Sequence, residues 1–155
     1  MSKILLVEDN PDAVKRIIRY INKIFAELDV ISFPEAGDAL QYAKANEVSL
    51  FILDIQLEDY KGTSLAKQLR ELPEYKYTPI IFETALAGEE LSAYRDVKCY
   101  SFLVKPFGEE EFVTAFRDAL GLSKQMSQQA KTIQIEQKQF TASRSSGNVS
   151  AGTAA

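Results

Sequence analysis

A chain of 155 residues with 46% hydrophobic content suffices for one domain with a single core plus a short appendage. Its lone cysteine, Cys99, excludes an internal disulfide, the absence of histidine excludes Ser/His/Asp catalysis and any phosphohistidine relay within the chain, and no run approaches the roughly 20 apolar residues of a membrane span. Residues 1–120 carry 14 Lys or Arg against 21 Asp or Glu, and residues 121–155 carry four against Glu136 alone, so the folded part would repel a nucleic-acid duplex and the sparse basic tail does not alter that. With no segment that reads as a leading signal, a reducing cytoplasm is the expected compartment.

In chain order, Ile4-Leu5-Leu6-Val7 is a continuous apolar run, the pattern of a strand covered on both faces in a parallel sheet, and Glu8-Asp9 closes it. Asn10 reads as an N-cap with Pro11 at the first helical position, and Val14, Ile17, Ile18, Ile21, Phe25 and Leu28 recur at helical spacing. A second strand, Val30–Phe33, stops at Pro34, and Ala36, Ala39, Leu40 and Ala43 mark a second helix. The third strand, Val48–Asp54, has no alternation and ends in a carboxylate. A polar loop from Glu58 to Gly62 leads into a helix carrying Leu65, Leu69 and Leu72, which Pro73 closes. Thr78-Pro79 opens the fourth strand, Ile80-Ile81-Phe82-Glu83, which delivers Thr84.

The segment Gly88 to Asp96 reads as a short, weak helix, and Tyr100–Val104 as a fifth strand closed by Lys105. The last helix begins near Gly108, with Glu109, Glu110 and Glu111 at the positive end of its dipole, Phe112, Phe116 and Ala119 inward, and Gly121 as its cap. Five strands alternating with five helices predict an α/β fold, a doubly wound five-stranded parallel sheet with helices on both faces. The domain spans 1–122; residues 123–140 read as a linker and possible start of a truncated output domain, in which Thr132–Glu136 alternates like an exposed strand, and residues 141–155, rich in Ser, Ala, Gly and Thr, read as disordered.

In such a sheet ligands bind outside the carboxyl ends of the strands, and four of those ends carry chemistry. Glu8, Asp9 and Asp54 would form a carboxylate cluster that needs a cation to offset mutual repulsion. Hard oxygen ligands with room for waters favour Mg²⁺ or Mn²⁺, and a phosphoryl group would complete the shell. Lys105 adds a positive charge and Thr84 a hydroxyl, the positioning and neutralising groups that phosphoryl transfer requires. With no histidine, and no cysteine at these positions, the nucleophile would be a carboxylate. Taken singly, each residue has a plainer reading: Asp54 as a turn residue, Glu8 and Asp9 as helix caps, Thr84 as a β-branched strand residue, Lys105 as a solvated loop lysine. Their joint occurrence at four strand ends is what those plainer readings fail to explain.

The order Glu8-Asp9, Asp54 with Gly62 after it, Thr84-Ala85, and Lys105-Pro106-Phe107 resembles the receiver domain of two-component response regulators, over residues 3 to 121. The resemblance implies the flavodoxin-like strand order 2-1-3-4-5, an order that comes from the family and not from the spacing of these residues. It implies that Asp54 is phosphorylated by a partner histidine kinase or phosphotransfer protein, and that Asp9, Asp54, the backbone carbonyl of Gln56 and, through water, Glu8 hold Mg²⁺. It further implies that Lys105 binds a phosphoryl oxygen, that Lys105-Pro106 is a cis peptide, and that Thr84 and Phe102 form a switch. The switch would alter the face of the fourth helix, fifth strand and fifth helix, where such domains form homodimers or meet partners. Beyond slow loss of its own phosphoryl group, no enzymatic turnover is implied.

The local sequence around Tyr94-Arg95 and Lys98 to Phe107 resembles receivers that precede LytTR-type DNA-binding domains, so transcription regulation, with DNA contacted only through a missing output domain, is the expected output. Three departures stand out: Glu58 where many receivers have proline, Glu83 as a carboxylate in an apolar strand, and Gln56 with Leu86 flanking the phosphoryl position. Glu83 would reach solvent or pair with a basic neighbour, and Leu86 would slow hydrolysis. Rival readings are an interaction module that dimerises without phosphorylation and a hydrolase of the haloacid dehalogenase type. The second normally needs an acid two residues after the nucleophile, where Gln56 stands.

Overall fold

A computed structural model describes residues 2–57, 60–85 and 97–150 of the chain. The strands are β1 (Lys3–Val7), β2 (Asp29–Phe33), β3 (Leu50–Asp54), β4 (Ile80–Thr84) and β5 (Ser101–Val104). They form one parallel sheet in the order β2-β1-β3-β4-β5. This is the doubly wound, flavodoxin-like arrangement expected from the sequence. The expected helix over 88–96, and with it Leu86, Glu58, Tyr94 and Arg95, lies outside the described residues.

Side-chain alternation along the strands divides the core between the two faces. Leu5, Val7, Phe51, Leu53 and Phe82 pack with Ala36, Ala39 and Ala43 of α2 (Ala36–Ala45) and Leu65, Ala66 and Leu69 of α3 (Gly62–Glu71). Ile4, Leu6, Leu50, Ile52 and Ile81 pack on the other face with Ile17 and Ile21 of α1 (Pro11–Ile24) and with Phe112 and Phe116 of the last helix. The small residues of α2 bring its backbone close to the sheet, and the paired rings of Phe112 and Phe116, 5.7 Å apart, fill the opposite layer. Each fully buried side chain of this kind contributes roughly 1.5–3 kcal/mol.

The start of α1 follows its sequence signals. The Asn10 side-chain oxygen accepts from the backbone N–H groups of Asp12 and Ala13, at 3.0 and 3.5 Å, and Pro11 occupies the first turn. After α3, Pro73 starts a 3-10 turn, Pro73–Tyr75, whose Tyr75 hydroxyl donates to the Ala43 and Asn46 carbonyls. The Arg70 guanidinium donates to the carbonyls of Tyr75, Thr78, Val97 and Lys98, joining the loop before β4 to the segment before β5.

The chain divides into two compact units, Met1–Ser123 and Lys124–Ala155. The last helix is Glu109–Ser150, so Gly121 is not its cap, Thr132–Glu136 is not a strand, and residues 141–150 are helical where disorder was expected. An isolated strand leaves its backbone groups unpaired, whereas a helix satisfies them within the segment. No proline follows Pro106, and each of the two glycines within the helix, Gly121 and Gly147, costs it only about 1 kcal/mol. In the second unit residues 127–139 are exposed, and no helix among the described residues is long and apolar enough to cross a membrane.

Candidate functional site

Parallel pairing brings the carboxyl ends of β1, β3, β4 and β5 to one edge. Asp54 is the last residue of β3, Glu8 follows β1, Lys105 follows β5, and Glu83-Thr84 ends β4. The Lys105 ammonium lies 2.5 Å from Glu8 Oε1 and 3.1 Å from Asp54 Oδ2, bridging the two acids. Their second oxygens accept backbone N–H groups: Asn10 N lies 3.2 Å from Glu8 Oε2, and Gln56 N lies 2.9 Å from Asp54 Oδ1.

Gly62 sets the height of this arrangement. Its N–H donates to the Ile55 carbonyl at 2.8 Å, and a Cβ placed on it would stand 2.0 Å from the Asp54 carbonyl oxygen. Only a residue without a side chain allows α3 to begin so close to the end of β3.

A third acid completes the cluster. Glu83 pairs in register with Asp54 across β3 and β4, is fully buried, and receives no hydrogen bond at either carboxyl oxygen among the described residues. Solvent or a bonded basic neighbour was expected for it from the sequence, and it has neither. One oxygen from each of Glu8, Asp54 and Glu83 lies within 4.8 Å of the others.

The electrostatics follow from these contacts. Burial raises Glu8, but a hydrogen bond from the Glu83 side chain, the Lys105 ammonium and the Asn10 N–H outweigh it, bringing Glu8 down to about 2. Burial pushes Asp54 up to about 6, with the Glu8 charge adding to the rise and the Gln56 N–H and Lys105 opposing it. Glu83 is raised well above the ordinary carboxylate range by burial first and by Glu8 next. With no donor among the described residues reaching it, burial favours the neutral form of Glu83. Burial works against the Lys105 charge, but the surrounding acids hold its pKa above the usual lysine value.

The remaining expected residues are placed as follows. Asp9 is half-buried beside Glu8, and Thr84 is fully buried, its carbonyl accepting the Lys105 N–H at 2.7 Å. Gln56 is exposed and bridges to Lys61. Phe102, half-buried on the edge strand, packs on its register partner Phe82 with ring centres 6.4 Å apart. The Lys105–Pro106 peptide is cis.

This arrangement offers a carboxylate nucleophile, an adjacent ammonium and hard oxygen donors suited to a divalent cation. The acidic donor set fits the cation that the sequence chemistry calls for.

Comparison with known proteins gives matching results. The family model described as the response regulator receiver domain matches residues 4–117. The chain is 31% identical over 137 residues to the cyclic di-GMP phosphodiesterase response regulator RpfG of Xanthomonas campestris pv. campestris, covering 87% of this chain and 36% of that protein. It is 31% identical over 118 residues to the transcriptional regulatory protein SrrA of Staphylococcus aureus, covering 73% of this chain and 46% of that one. The chain thus spans less than half the length of these curated relatives. Among solved structures, a chemotaxis response regulator of Vibrio cholerae superposes with a TM-score of 0.70 at 25% identity, over 77% of this chain and 99% of that one.

Proposed function

The chain belongs to the response regulator receiver family, and on that premise we propose that it is a phosphorylation-dependent switch whose acceptor is Asp54. The donor is a phosphohistidine on a histidine kinase or phosphotransfer protein. An Asp54 carboxylate oxygen forms the new bond to phosphorus, the donor's N–P bond breaks, and the electron pair leaves with the imidazole. The observation that carries this reading is the Lys105 ammonium within reach of both Asp54 and Glu8, a cation already stationed where a phosphoryl oxygen would arrive.

Asp9, Asp54, the Gln56 backbone carbonyl and, through water, Glu8 are the groups that would hold Mg²⁺ or Mn²⁺. When bound, the cation supplies charge neutralisation at the phosphoryl oxygens. Lys105 exchanges a carboxylate oxygen for a phosphoryl oxygen. The Thr84 hydroxyl turns toward the phosphoryl group, and Phe102 moves into the space this leaves. The changed surface around β5 and the last helix then favours a homodimer or an output partner.

Residues 1–122 act as the receiver, in the cytoplasm, with residues 123–140 as the connection to an output domain. The names of the relatives point to more than one kind of output, a phosphodiesterase in one and transcription regulation in the other, and the LytTR-like local sequence favours transcription regulation here.

The test is intact-mass spectrometry after incubation with acetyl phosphate and Mg²⁺. The wild-type chain gains one phosphoryl group and Asp54→Asn gains none. An unlabelled wild type would favour the interaction module that works without phosphorylation. Elution volume with and without beryllofluoride then reports whether occupancy of Asp54 drives dimerisation.

A further inference from the structure

Glu83 has no role in the mechanism above, yet it occupies the interior of the site. A strand residue fully buried with two carboxyl oxygens that receive no hydrogen bond among the described residues is a costly feature, because burying an acid without donors strongly disfavours folding as a charge and still loses hydration as a neutral group. Most strand positions at such depth are apolar, as Phe82 and Ile81 are here. The direction of the side chain is equally specific: of all the surroundings a β4 residue can face, Glu83 meets Glu8 and Asp54, with one oxygen of each within 4.8 Å.

We propose that Glu83 is a direct ligand of the divalent cation, a third buried carboxylate added to the set named above. The inference rests on the receiver reading, which supplies the cation, and extends it by a ligand that the resemblance did not assign.

Charge complementarity supports it. Among the buried groups, Lys105 offsets one of the three acids, and a divalent cation would offset the other two once Glu83 gives up its proton, leaving the half-buried ligand Asp9 as the one further negative charge at the rim. Coordination chemistry supports it as well. Mg²⁺ sites usually keep several waters and use one or two carboxylates, and each further carboxylate displaces water and raises affinity through charge. The site would therefore hold its cation with fewer waters than the Asp9, Asp54 and Gln56 set leaves, a condition that Mn²⁺, with its tolerance for oxygen-rich shells, meets as well as Mg²⁺.

The experiment is a Mn²⁺ titration of the full 155-residue chain followed by electron paramagnetic resonance, with water-proton relaxation to compare the hydration of the bound ion. Glu83→Gln keeps the shape and removes the charge. Glu83→Met keeps the volume and removes the buried acid, so it folds even where the amide is poorly accommodated. Both variants are expected to bind Mn²⁺ about tenfold or more weakly than wild type, in the range seen when groups that support a metal are lost, and to leave more water on the ion. Equal affinity and equal hydration in wild type and variants would overturn the proposal, and Glu83 would then be only a partner of Glu8. A wild type that binds no Mn²⁺ and takes no phosphoryl group would instead remove the receiver reading on which the proposal stands.

Discussion

Asp54 and Glu83 are register partners on adjacent strands, and comparing them separates two consequences of the same burial. Both carboxyls are shut away from water, at 5% and 0% exposure. Burial raises Asp54 to about 6, and the backbone N–H it accepts and the ammonium it faces hold the rise there, within reach of physiological pH. Glu83 accepts nothing from the described residues, and its charged form is suppressed by burial. Depth in the sheet therefore does not make a carboxylate reactive or inert. The supply of donors does, and the loops after β3 and β5 provide them to one strand end and not to its neighbour.

The sharpest way to break this comparison is to exchange the two acids' fates. Asp54→Asn abolishes labelling by acetyl phosphate completely, whereas Glu83→Met retains it at saturating Mg²⁺, as intact mass will show. Next in size is Gly62→Ala. Its new methyl group meets the Asp54 carbonyl at 2.0 Å, so α3 or the end of β3 must shift, at about 3 kcal/mol in urea unfolding. Labelling of the folded fraction falls as well, because the shift displaces Asp54 and not Glu83.

The pH dependence of stability comes third. Asp54 is raised from its ordinary value of 3.8 to about 6, so the folded state holds its proton more tightly than the unfolded chain. Stability from this group is complete below about pH 4 and is lost as pH rises to about 6, by roughly 2–3 kcal/mol. Glu83 extends the same loss to higher pH, while Glu8, lowered to about 2, contributes stability that disappears only as pH falls from about 4.5 through that value. Urea midpoints measured across pH 4 to 6 should decline in wild type and decline less steeply in Asp54→Asn, where the loss from Glu83 remains. The smallest effect is on the stability of Glu83→Met in the absence of divalent cations, which should exceed that of wild type at neutral pH by about 1–3 kcal/mol, since an apolar side chain of similar volume replaces a buried acid that no donor reaches.

The sheet and most of the site were legible because their signals are local and unambiguous. The runs Ile4–Val7 and Leu50–Leu53 can be buried only between helices, and the Asn10-Pro11 pair marks a helix start through the geometry of a single turn. Once the strand ends share an edge, Asp54, Glu8 and Lys105 meet without further assumption.

What was not legible depends on partners distant in sequence or on competition between weak signals. Glu83 stands out as an acid in an apolar strand, but its facing residue follows from the register with Asp54, which the sequence does not state. Gly121 and the alternation of Thr132–Glu136 resemble a helix end and a strand, yet each is a small preference, and neither outweighs continuous intrahelical hydrogen bonding. The four carbonyls gathered by Arg70 come from segments up to 28 residues away, and nothing in an isolated arginine indicates them.

That arginine bears on where the edge strand lies. β5 has a single strand neighbour, β4, and its entry is fastened by a side chain from α3 holding the carbonyls of Val97 and Lys98. Its exit is fastened by the Lys105 N–H on the Thr84 carbonyl. A strand moored at both ends sets its last side chain at a fixed height, so Arg70, remote from the acids, helps decide where the Lys105 ammonium stands over Asp54.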